Sequence, residues 1–315
     1  MSRADSPPYI DFSTFLSRYF PGQKVQKITL TAGFSCPTRD GSRGKGGCTY
    51  CNNKSFSPNY ATKLRPITEQ IDEGISFFRR KYPEMKYLAY FQSYTNTYGE
   101  VADCIAKYEE ALSHPDVVGL IIGTRPDCMP EPLLHHLGEL SRRTFLLIEY
   151  GVESTWDKTL ERIQRGHTWQ DSVATIWRTH QAGIMVGAHI ILGLPGESRQ
   201  EMLLHADRLS ELPITTLKIH QLQIIRGTLM AGEYLQTPGD FHLFTEEEYI
   251  ELCVAFVHRL RPDIVLERFV SQSPPELLLA PRWGWKNYEF TAKIRKALST
   301  PPPSNQPSTQ VIETK

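Results

Sequence analysis

Short runs of apolar residues alternate with segments of helical periodicity along most of the chain. Continuous apolar runs indicate strands that are buried on both faces. They predict strands at 27–32, 87–91, 117–122, 144–150, 185–192, 215–225 and 265–269. Apolar stripes at helical spacing, with a proline start signal at Pro66 and a capping box at Thr245, predict the helices. Two helices are predicted to begin near 66 and 245, and five more are predicted at 101–112, 131–141, 155–182, 198–211 and 286–298.

Strands that alternate with amphipathic helices predict a parallel sheet covered by helices. Six such units in a row predict an α/β fold, a partial (β/α)6 TIM-like barrel with a C-terminal helical extension. We divide the chain into an N-terminal extension, a core domain, a C-terminal extension and a tail, at 1–19, 20–270, 271–298 and 299–315. The tail is rich in proline and cannot bury much apolar area, so it is predicted to be disordered.

The composition is that of an ordinary globular protein, with 40% hydrophobic and 22% charged residues. Lys and Arg together number 35, as do Asp and Glu, so the bulk charge does not favour a nucleic-acid or membrane surface. No stretch approaches the ~20 apolar residues of a membrane span, and the N-terminus does not resemble a signal peptide. We therefore predict a cytoplasmic protein without a membrane partner.

Three of the six cysteines lie close together, directly after the first predicted strand. Cys36, Cys48 and Cys51 occupy the loop at the carboxyl end of that strand, where barrel active sites form. Clustered thiols in a cytosolic chain indicate metal binding or catalysis rather than disulfides. Three thiolates match a [4Fe–4S] cluster with one open iron, because a cluster held by protein alone usually has four cysteine ligands.

Zinc binding and redox chemistry are the alternatives for this loop. Cys48 and Cys51 match a common zinc signature, but closed zinc sites have four protein ligands and no histidine lies near the loop. A disulfide shuttle needs only that pair and leaves Cys36 without a role.

The other three cysteines are spread along the chain. Cys104 and Cys253 lie on apolar stripes of predicted helices, and we interpret them as packing thiols. Cys128 follows the third strand and is nearer the expected site. It fits a core thiol, a hydrogen donor or a second ligand, and we favour the core thiol.

The cysteine loop resembles that of a known family. The segment CTYC at 48–51, with an aromatic residue before the last cysteine, resembles the radical S-adenosylmethionine (SAM) signature. Eleven residues separate Cys36 from Cys48, where the standard spacing has three. This longer form resembles the YhcC/YtqA branch of the radical SAM superfamily, which is similar to the catalytic subunit of Elongator.

Four further segments resemble blocks of the Elongator-like sequences, in the same order. They are GTRPDC at 123–128, GVESTWDKTLERIQRGHT at 151–168, HIILGLPGES at 189–198 and LKIHQLQIIRGT at 217–228. The resemblance implies a barrel of the radical SAM type and an enzyme that uses a [4Fe–4S] cluster and SAM. In that chemistry the reduced cluster splits SAM, and a 5′-deoxyadenosyl radical removes a hydrogen from the substrate.

The resemblance also implies which residues hold SAM. Glu153 and Arg165 are expected at its ribose and methionine carboxylate. His189 is expected near the ribose and Tyr50 beside the adenine. Taken alone, Glu153 and Arg165 also fit a surface ion pair, and His189 fits a core histidine.

The second strand of such barrels ends in polar residues that receive the SAM amino group. Gln92, Ser93 and Thr95 stand at the matching place and each can accept a hydrogen bond, so the choice among them stays open. Gly123 replaces a glutamate of the Elongator-like sequences, which leaves that contact missing or supplied elsewhere.

The resemblance implies partners as well. Elongator-like relatives modify the wobble uridine of tRNA, so tRNA is the leading substrate, and an electron donor such as flavodoxin or ferredoxin is expected. Basic groups at Arg39, Arg43 and Lys45 and at 79–81 suit phosphates or a solvated face equally well. The alternatives are a radical SAM enzyme that acts on a small metabolite or a protein, and a non-catalytic iron–sulfur or zinc protein.

Overall fold

The computed structural model describes residues 8–55, 64–79, 82 and 84–299, so residues 300–315 of the predicted tail lie outside the described residues. The strands are β1 Val25–Leu30, β2 Lys86–Phe91, β3 Val117–Thr124, β4 Phe145–Glu153, β5 Met185–Leu192, β6 Thr216–Gln221, β7 Ile224–Ile225, β8 Val265–Arg268 and β9 Leu278–Ala280. The helices are α1 Phe12–Tyr19, α2 Ile67–Arg79, α3 Val101–Leu112, α4 Glu131–Ser141, α5 Asp157–Arg162, α6 Trp169–Gln181, α7 Arg199–Ser210, α8 Leu229–Gln236, α9 Glu246–Arg259 and α10 Asn287–Ser299. Within the described ranges, no helix has the length and apolar character that crossing a bilayer requires.

Seven strands form one sheet in the order β1-β2-β3-β4-β5-β6-β8, and every neighbouring pair is parallel. Its two edges approach each other, because Lys27 on β1 forms an ion pair with Glu267 on β8. The sheet is a curled half-barrel, and the predicted α/β partial barrel is confirmed. A separate antiparallel pair, β7 and β9, lies beside it.

The helices pack on the outer face of the sheet because both surfaces are apolar. On α2 the predicted stripe of Ile67, Ile71 and Ile75 is buried. Gly74 allows this helix to approach β1 closely, since a Cβ there would lie 2.6 Å from the Ile28 side chain. This outer core holds the strands in register, and so it sets where the carboxyl end of each strand lies.

Helix α1 closes the amino end of the half-barrel and was not predicted. Asp11 caps the helix by accepting a hydrogen bond of 2.8 Å from the backbone N–H of Thr14. Phe15 and Leu16 are buried in a cluster that includes Phe145 of β4. With only eight residues the helix has too few turns for a clear periodicity. Its packing excludes water from that end of the lumen.

Two predicted elements are divided in the structure. The predicted helix 155–182 is two helices, α5 and α6, because Gln164 and Gly166 between them adopt left-handed φ angles of 52° and 75°. Thr168 then begins α6 with a capping box. The predicted strand 215–225 is also divided, since β7 pairs with β9 and not with the main sheet. Helix α8 follows β7 and was not predicted.

Candidate active site

Polar side chains alternate along the inner face of the half-barrel. Residues two apart on a strand face the same side of a sheet. The inner positions include Lys27 and Thr29 on β1, Glu149 and Gly151 on β4, Gly187 and His189 on β5, and Lys218 and His220 on β6. Four of them, Glu149, Gly151, His189 and His220, line a cavity together with the loops after the strands; its volume is about 1290 Å³, counted with the solvent at its mouth.

The cysteine loop between β1 and α2 is fixed by segments that are distant in sequence. The backbone N–H of Thr49 donates to the carbonyl of Ile163 at 3.0 Å, and its carbonyl accepts from Met230 N–H at 2.9 Å. Arg39 Nη2 donates to the carbonyl of Cys51 at 2.8 Å. The turn after α5 and the unpredicted α8 therefore position the second half of the loop.

The three predicted cluster ligands, Cys36, Cys48 and Cys51, line the same cavity. Thr95 Oγ1 donates a hydrogen bond to Cys36 Sγ at 3.1 Å, and Arg165 Nη1 lies 3.6 Å from Cys48 Sγ. Burial raises the pKa of Cys36 and raises the pKa of Cys51 to about 12. Such thiols become ligands when a bound metal deprotonates them. The donor set therefore fits a metal cluster.

A cubane cluster does not require its thiol ligands to converge on one metal ion. In the part of the chain that the structure describes, no three His, Cys, Asp or Glu side chains converge to hold a metal ion directly. Each thiolate of a [4Fe–4S] cluster binds a different iron, so the sulfurs stand around the cluster and need not meet at one point.

Glu153 and Arg165 meet beside these thiols, at the end of β4. The pairing of β4 with β5 has a bulge between Gly151 and Glu153, and Glu153 adopts a left-handed φ of 67°. Bulges re-aim side chains, and here the Glu153 Oε1 lies 3.6 Å from Arg165 Nη2. The same nitrogen donates to the Gly151 carbonyl at 2.6 Å. A Cβ at Gly151 would lie 2.5 Å from the ends of both side chains, so an alanine there would displace them.

The surface ion pair that we considered for Glu153 and Arg165 is not what the structure contains. Arg165 is buried and Glu153 is half-buried in the cavity wall. Tyr50 lies in the same wall. Burial, and then the charge of the Glu153 carboxylate, raise the pKa of its hydroxyl well above the usual value.

Most of the residues predicted to contact SAM share this cavity. Its wall includes Tyr50, Gln92, Thr95, Glu153, Arg165 and His189. Ser93 is buried outside the described wall, with its hydroxyl 3.5 Å from Thr31 Oγ1. Their assignment to particular atoms of SAM stays a prediction.

Gly123 lies where the Elongator-like sequences carry a glutamate. A Cβ at Gly123 would be 3.2 Å from the Phe91 carbonyl, so the position is crowded. In the pairing of β3 with β4, Gly123 stands opposite Glu149. A carboxylate is thus present on the neighbouring strand at the same level of the barrel.

Glu149 is the centre of a buried charge cluster that the sequence reasoning missed. It accepts hydrogen bonds from His189 Nε2 at 3.0 Å and from Lys218 Nζ at 2.5 Å, and it is 1% exposed. Although burial raises it, the pKa of Glu149 is held well below its usual value by Lys218 and Lys27. Burial lowers the pKa of Lys218 to about 8. Lys27 also pairs with Glu267, which joins the two edges of the sheet.

A sequence signal for this cluster was available. Charged residues interrupt otherwise apolar strands in FLLIEY, TLKIHQ and VLER. A charge on a strand buried on both faces needs a partner on a neighbouring strand. Pairing these charges across the predicted sheet would have located the cluster.

The remaining cysteines are away from the thiols that line the cavity. Cys104 and Cys253 are fully buried in α3 and α9. Cys128 is buried, does not belong to the described cavity wall, and has its pKa raised to about 12 by burial. This placement supports the core interpretation of Cys128.

Comparison with known sequences agrees with this geometry. A family model described as the radical SAM superfamily matches residues 41–209, and one described as the radical SAM C-terminal domain matches 214–300. Protein YhcC of Escherichia coli is 38% identical over 263 residues, which cover 83% of each chain. YtqA, an uncharacterized protein of Bacillus subtilis, is 33% identical over 277 residues, 88% of this chain and 85% of its own. A tRNA uridine(34) acetyltransferase of Methanocaldococcus infernus is 25% identical over 180 residues, 55% of this chain and 32% of its own.

Solved structures show the same fold at low sequence identity. Elp3 of Methanocaldococcus infernus superposes with a TM-score of 0.63 at 19% identity, over 88% of this chain and 64% of its own. Coproporphyrinogen III oxidase of Escherichia coli, a radical SAM enzyme, gives 0.50 at 13% identity, over 82% and 58%.

The radical SAM family uses a [4Fe–4S] cluster and SAM. Its model covers more than half of this chain, and two relatives above 30% identity extend over more than four fifths of it. The chain therefore belongs to the radical SAM superfamily and is a radical SAM enzyme.

Proposed function

We propose that the chain binds a [4Fe–4S] cluster through Cys36, Cys48 and Cys51, cleaves SAM reductively and acts on a uridine of tRNA. One observation carries the proposal: three thiols from a single loop line the same cavity as Glu153 and Arg165. When bound, the cluster supplies the electron that splits SAM into methionine and a 5′-deoxyadenosyl radical, which removes a hydrogen atom from the substrate. The side chains around the cavity bind, orient and shield.

Thr95 and Arg165 act on the sulfur ligands. Their hydrogen bonds reach Cys36 Sγ and Cys48 Sγ, and hydrogen bonds to sulfur stabilise the thiolate and raise the reduction potential of a cluster. Arg165 Nε is buried without a hydrogen-bond partner among the described residues. This donor is available to the methionine carboxylate of SAM.

Other polar groups orient SAM in this proposal. Gln92 receives the amino group, because Thr95 is engaged with a sulfur and Ser93 lies outside the described wall. Thr29 Oγ1 donates to Gln92 Oε1 at 3.2 Å and so orients the amide. His189 faces the ribose with its ring held by Glu149.

Glu153 and Tyr50 complete the SAM site. The Glu153 carboxylate accepts from ribose hydroxyls, and the Tyr50 ring lies beside the adenine. Helix α1 closes the amino end of the lumen with Phe15 and Leu16. A closed lumen protects a reactive radical from solvent.

The assay for this proposal is SAM cleavage by the anaerobically reconstituted, reduced chain. Wild type is expected to form 5′-deoxyadenosine, measured by liquid chromatography and mass spectrometry. Cys36→Ala, Cys48→Ala and Cys51→Ala are each expected to lose the product and most of the iron. Cys104→Ala is the matched control, because this thiol is buried in α3 outside the described wall. Cleavage that survives any of the three site variants would contradict the assignment.

Similarity to tRNA-modifying proteins supports the proposal that tRNA is the substrate. The matched tRNA uridine(34) acetyltransferase is similar in sequence to 55% of this chain, although the match covers only 32% of its own length, and the Elp3 structure has the same fold. We place the reaction in the cytoplasm, where thiols stay reduced. A flavodoxin or ferredoxin is proposed as the electron donor.

Nucleoside analysis tests separately whether tRNA is the substrate. tRNA from a strain that lacks the gene is digested and compared with tRNA from strains complemented by wild type or Cys48→Ala. We expect the amount of a modified uridine to differ in the deletion strain. Complementation by wild type, but not by Cys48→Ala, should restore it. Identical nucleosides in all strains would remove tRNA as substrate and favour a small metabolite or a protein.

A further inference from the structure

The inner wall of β8 carries two charged side chains in succession. The pairing of β8 with β6 has a bulge, in which Lys218 stands opposite Arg268 and Glu267 is the extra residue. A bulge interrupts the alternation of faces along a strand. Glu267 therefore reaches Lys27 and Lys218, while Arg268 lines the cavity.

The carboxylates of the lumen are already matched by lysines. Lys218 lies 2.5 Å from Glu149 and 3.6 Å from Glu267, and Lys27 lies 3.4 Å from Glu149 and also contacts Glu267. Two lysines and two glutamates form a closed network, so their formal charges cancel. A further cation beside this network is therefore not compensated by these two glutamates.

Arg268 is that further cation. Its side chain forms neither a hydrogen bond nor an ion pair with the residues that the structure describes, although it lies in the wall of the cavity. On the same wall, His220 Nε2 is buried and has no described partner, while its Nδ1 contacts the Ser271 hydroxyl. Burial, and then the nearby Arg268 charge, lower the pKa of His220 well below its usual value. The ring is neutral at pH 7.

We propose that Arg268, assisted by His220, binds an anionic group of the substrate, a carboxylate or a phosphate, at the β6–β8 wall of the cavity. A guanidinium presents a planar fork that suits both groups. A partly buried cation without a partner is unfavourable, and a bound anion compensates it. This inference rests on the proposed function, because it takes the cavity as the place where substrate and SAM meet.

The carboxylate of SAM itself is assigned to a different arginine. Arg165 contacts Cys48 Sγ, so it lies beside the proposed cluster where SAM must bind. Arg268 lies at the carboxyl end of β8 and contacts none of the three thiols in the described residues. The two guanidinium groups thus divide the cavity into a cofactor side and a substrate side.

The test measures anion binding by the full-length, cluster-loaded chain. Acetate and inorganic phosphate are titrated calorimetrically in separate runs at constant ionic strength, and SAM is titrated in a third. Wild type is expected to bind at least one of the two anions, and the one it prefers identifies the group. Charge-assisted hydrogen bonds contribute about 1.5–3 kcal/mol, so Arg268→Gln is expected to lower the affinity for that anion about tenfold or more.

Two further variants keep the result interpretable. Arg142→Gln makes the same charge change at a side chain that is 74% exposed, and it is expected to bind like wild type. Arg268→Lys keeps the charge but not the planar fork, so this variant is expected to bind the anion more weakly than wild type. If Arg268→Gln does not fold, Arg268→Lys is used in its place. SAM affinity should stay within about twofold of wild type in both Arg268 variants.

Three results would overturn the inference. They are equal anion binding by wild type and the Arg268 variants, no binding of either anion by wild type, and a loss of SAM affinity as large as the loss of anion affinity. The proposed function fails differently. If the chain binds the anion through Arg268 but forms no 5′-deoxyadenosine, the radical mechanism is contradicted and the anion site is not.

Discussion

Replacing the carboxylate of Glu149 by an amide tests the buried charge network. In Glu149→Gln, Lys218 loses the partner that lies 2.5 Å from its ammonium group, in a place where its side chain is 3% exposed. Removing one partner of a buried ion pair costs about 3–5 kcal/mol, and here Glu267 is left to offset two buried lysine charges. We expect the free energy of unfolding to fall by that amount at pH 6, measured by urea denaturation of the full chain.

The pH dependence of this loss follows from Lys218. Its pKa is lowered to about 8 in the folded chain, below the roughly 10.4 of an unfolded chain, so the folded state binds fewer protons between these values and stability rises with pH there. Without Glu149 the folded pKa of Lys218 falls further, and the rise begins at lower pH. The deficit of Glu149→Gln is therefore expected to shrink as pH increases from about 6 to about 8.5.

Glu139→Gln is the control for this experiment. Glu139 is 54% exposed and pairs with Arg142 on the surface, where such pairs contribute about 0–1 kcal/mol. The double variant Glu149→Gln, Lys218→Met is expected to recover part of the loss, because no unpaired charge remains. A deficit below about 1 kcal/mol at both pH values, or one that grows with pH, would refute the network as described.

Two smaller substitutions probe the cluster side of the cavity. Thr95→Val removes the hydrogen bond to Cys36 Sγ and is expected to make the cluster potential more negative in an EPR-monitored redox titration, whereas Thr95→Ser should leave it near wild type; equal potentials in both variants would contradict the role. Gly151→Ala places a Cβ 2.5 Å from Arg165 Nη2 and is expected to weaken SAM binding measured by calorimetry. Gly232→Ala in α8 meets nothing within 4 Å and should leave SAM affinity unchanged; an equal effect of both alanines would count against steric crowding.

The sequence predicted most of the fold because its signals are local. The strand at Met185–Leu192 and the helix at Val101–Leu112 have the predicted bounds, since the strand is a largely apolar run and the helix carries a regular apolar stripe. Helix α1 was missed because it is short and is stabilised by packing against β4 and β8. The break between α5 and α6 was missed because Gln164 adopts its left-handed φ in a segment whose composition is helical.

The candidate site was predicted unevenly for a similar reason. Cys36, Cys48 and Cys51 could be found because their chemistry and spacing are contained within one loop. Arg165 could be named only through resemblance, since the bulge and the turn that bring it to Glu153 are not visible in the pattern.

By itself the sequence determined the order of most strands and helices, the parallel sheet and a candidate set of three sulfur ligands. These features follow from periodicity and residue type within short segments. Only the tertiary structure decided that Glu149 is enclosed by two lysines and that Arg268 has no partner among the residues that the structure describes. The two lysines lie 122 and 69 positions from Glu149 along the chain, and whether a charge is paired depends on every strand that curls around it.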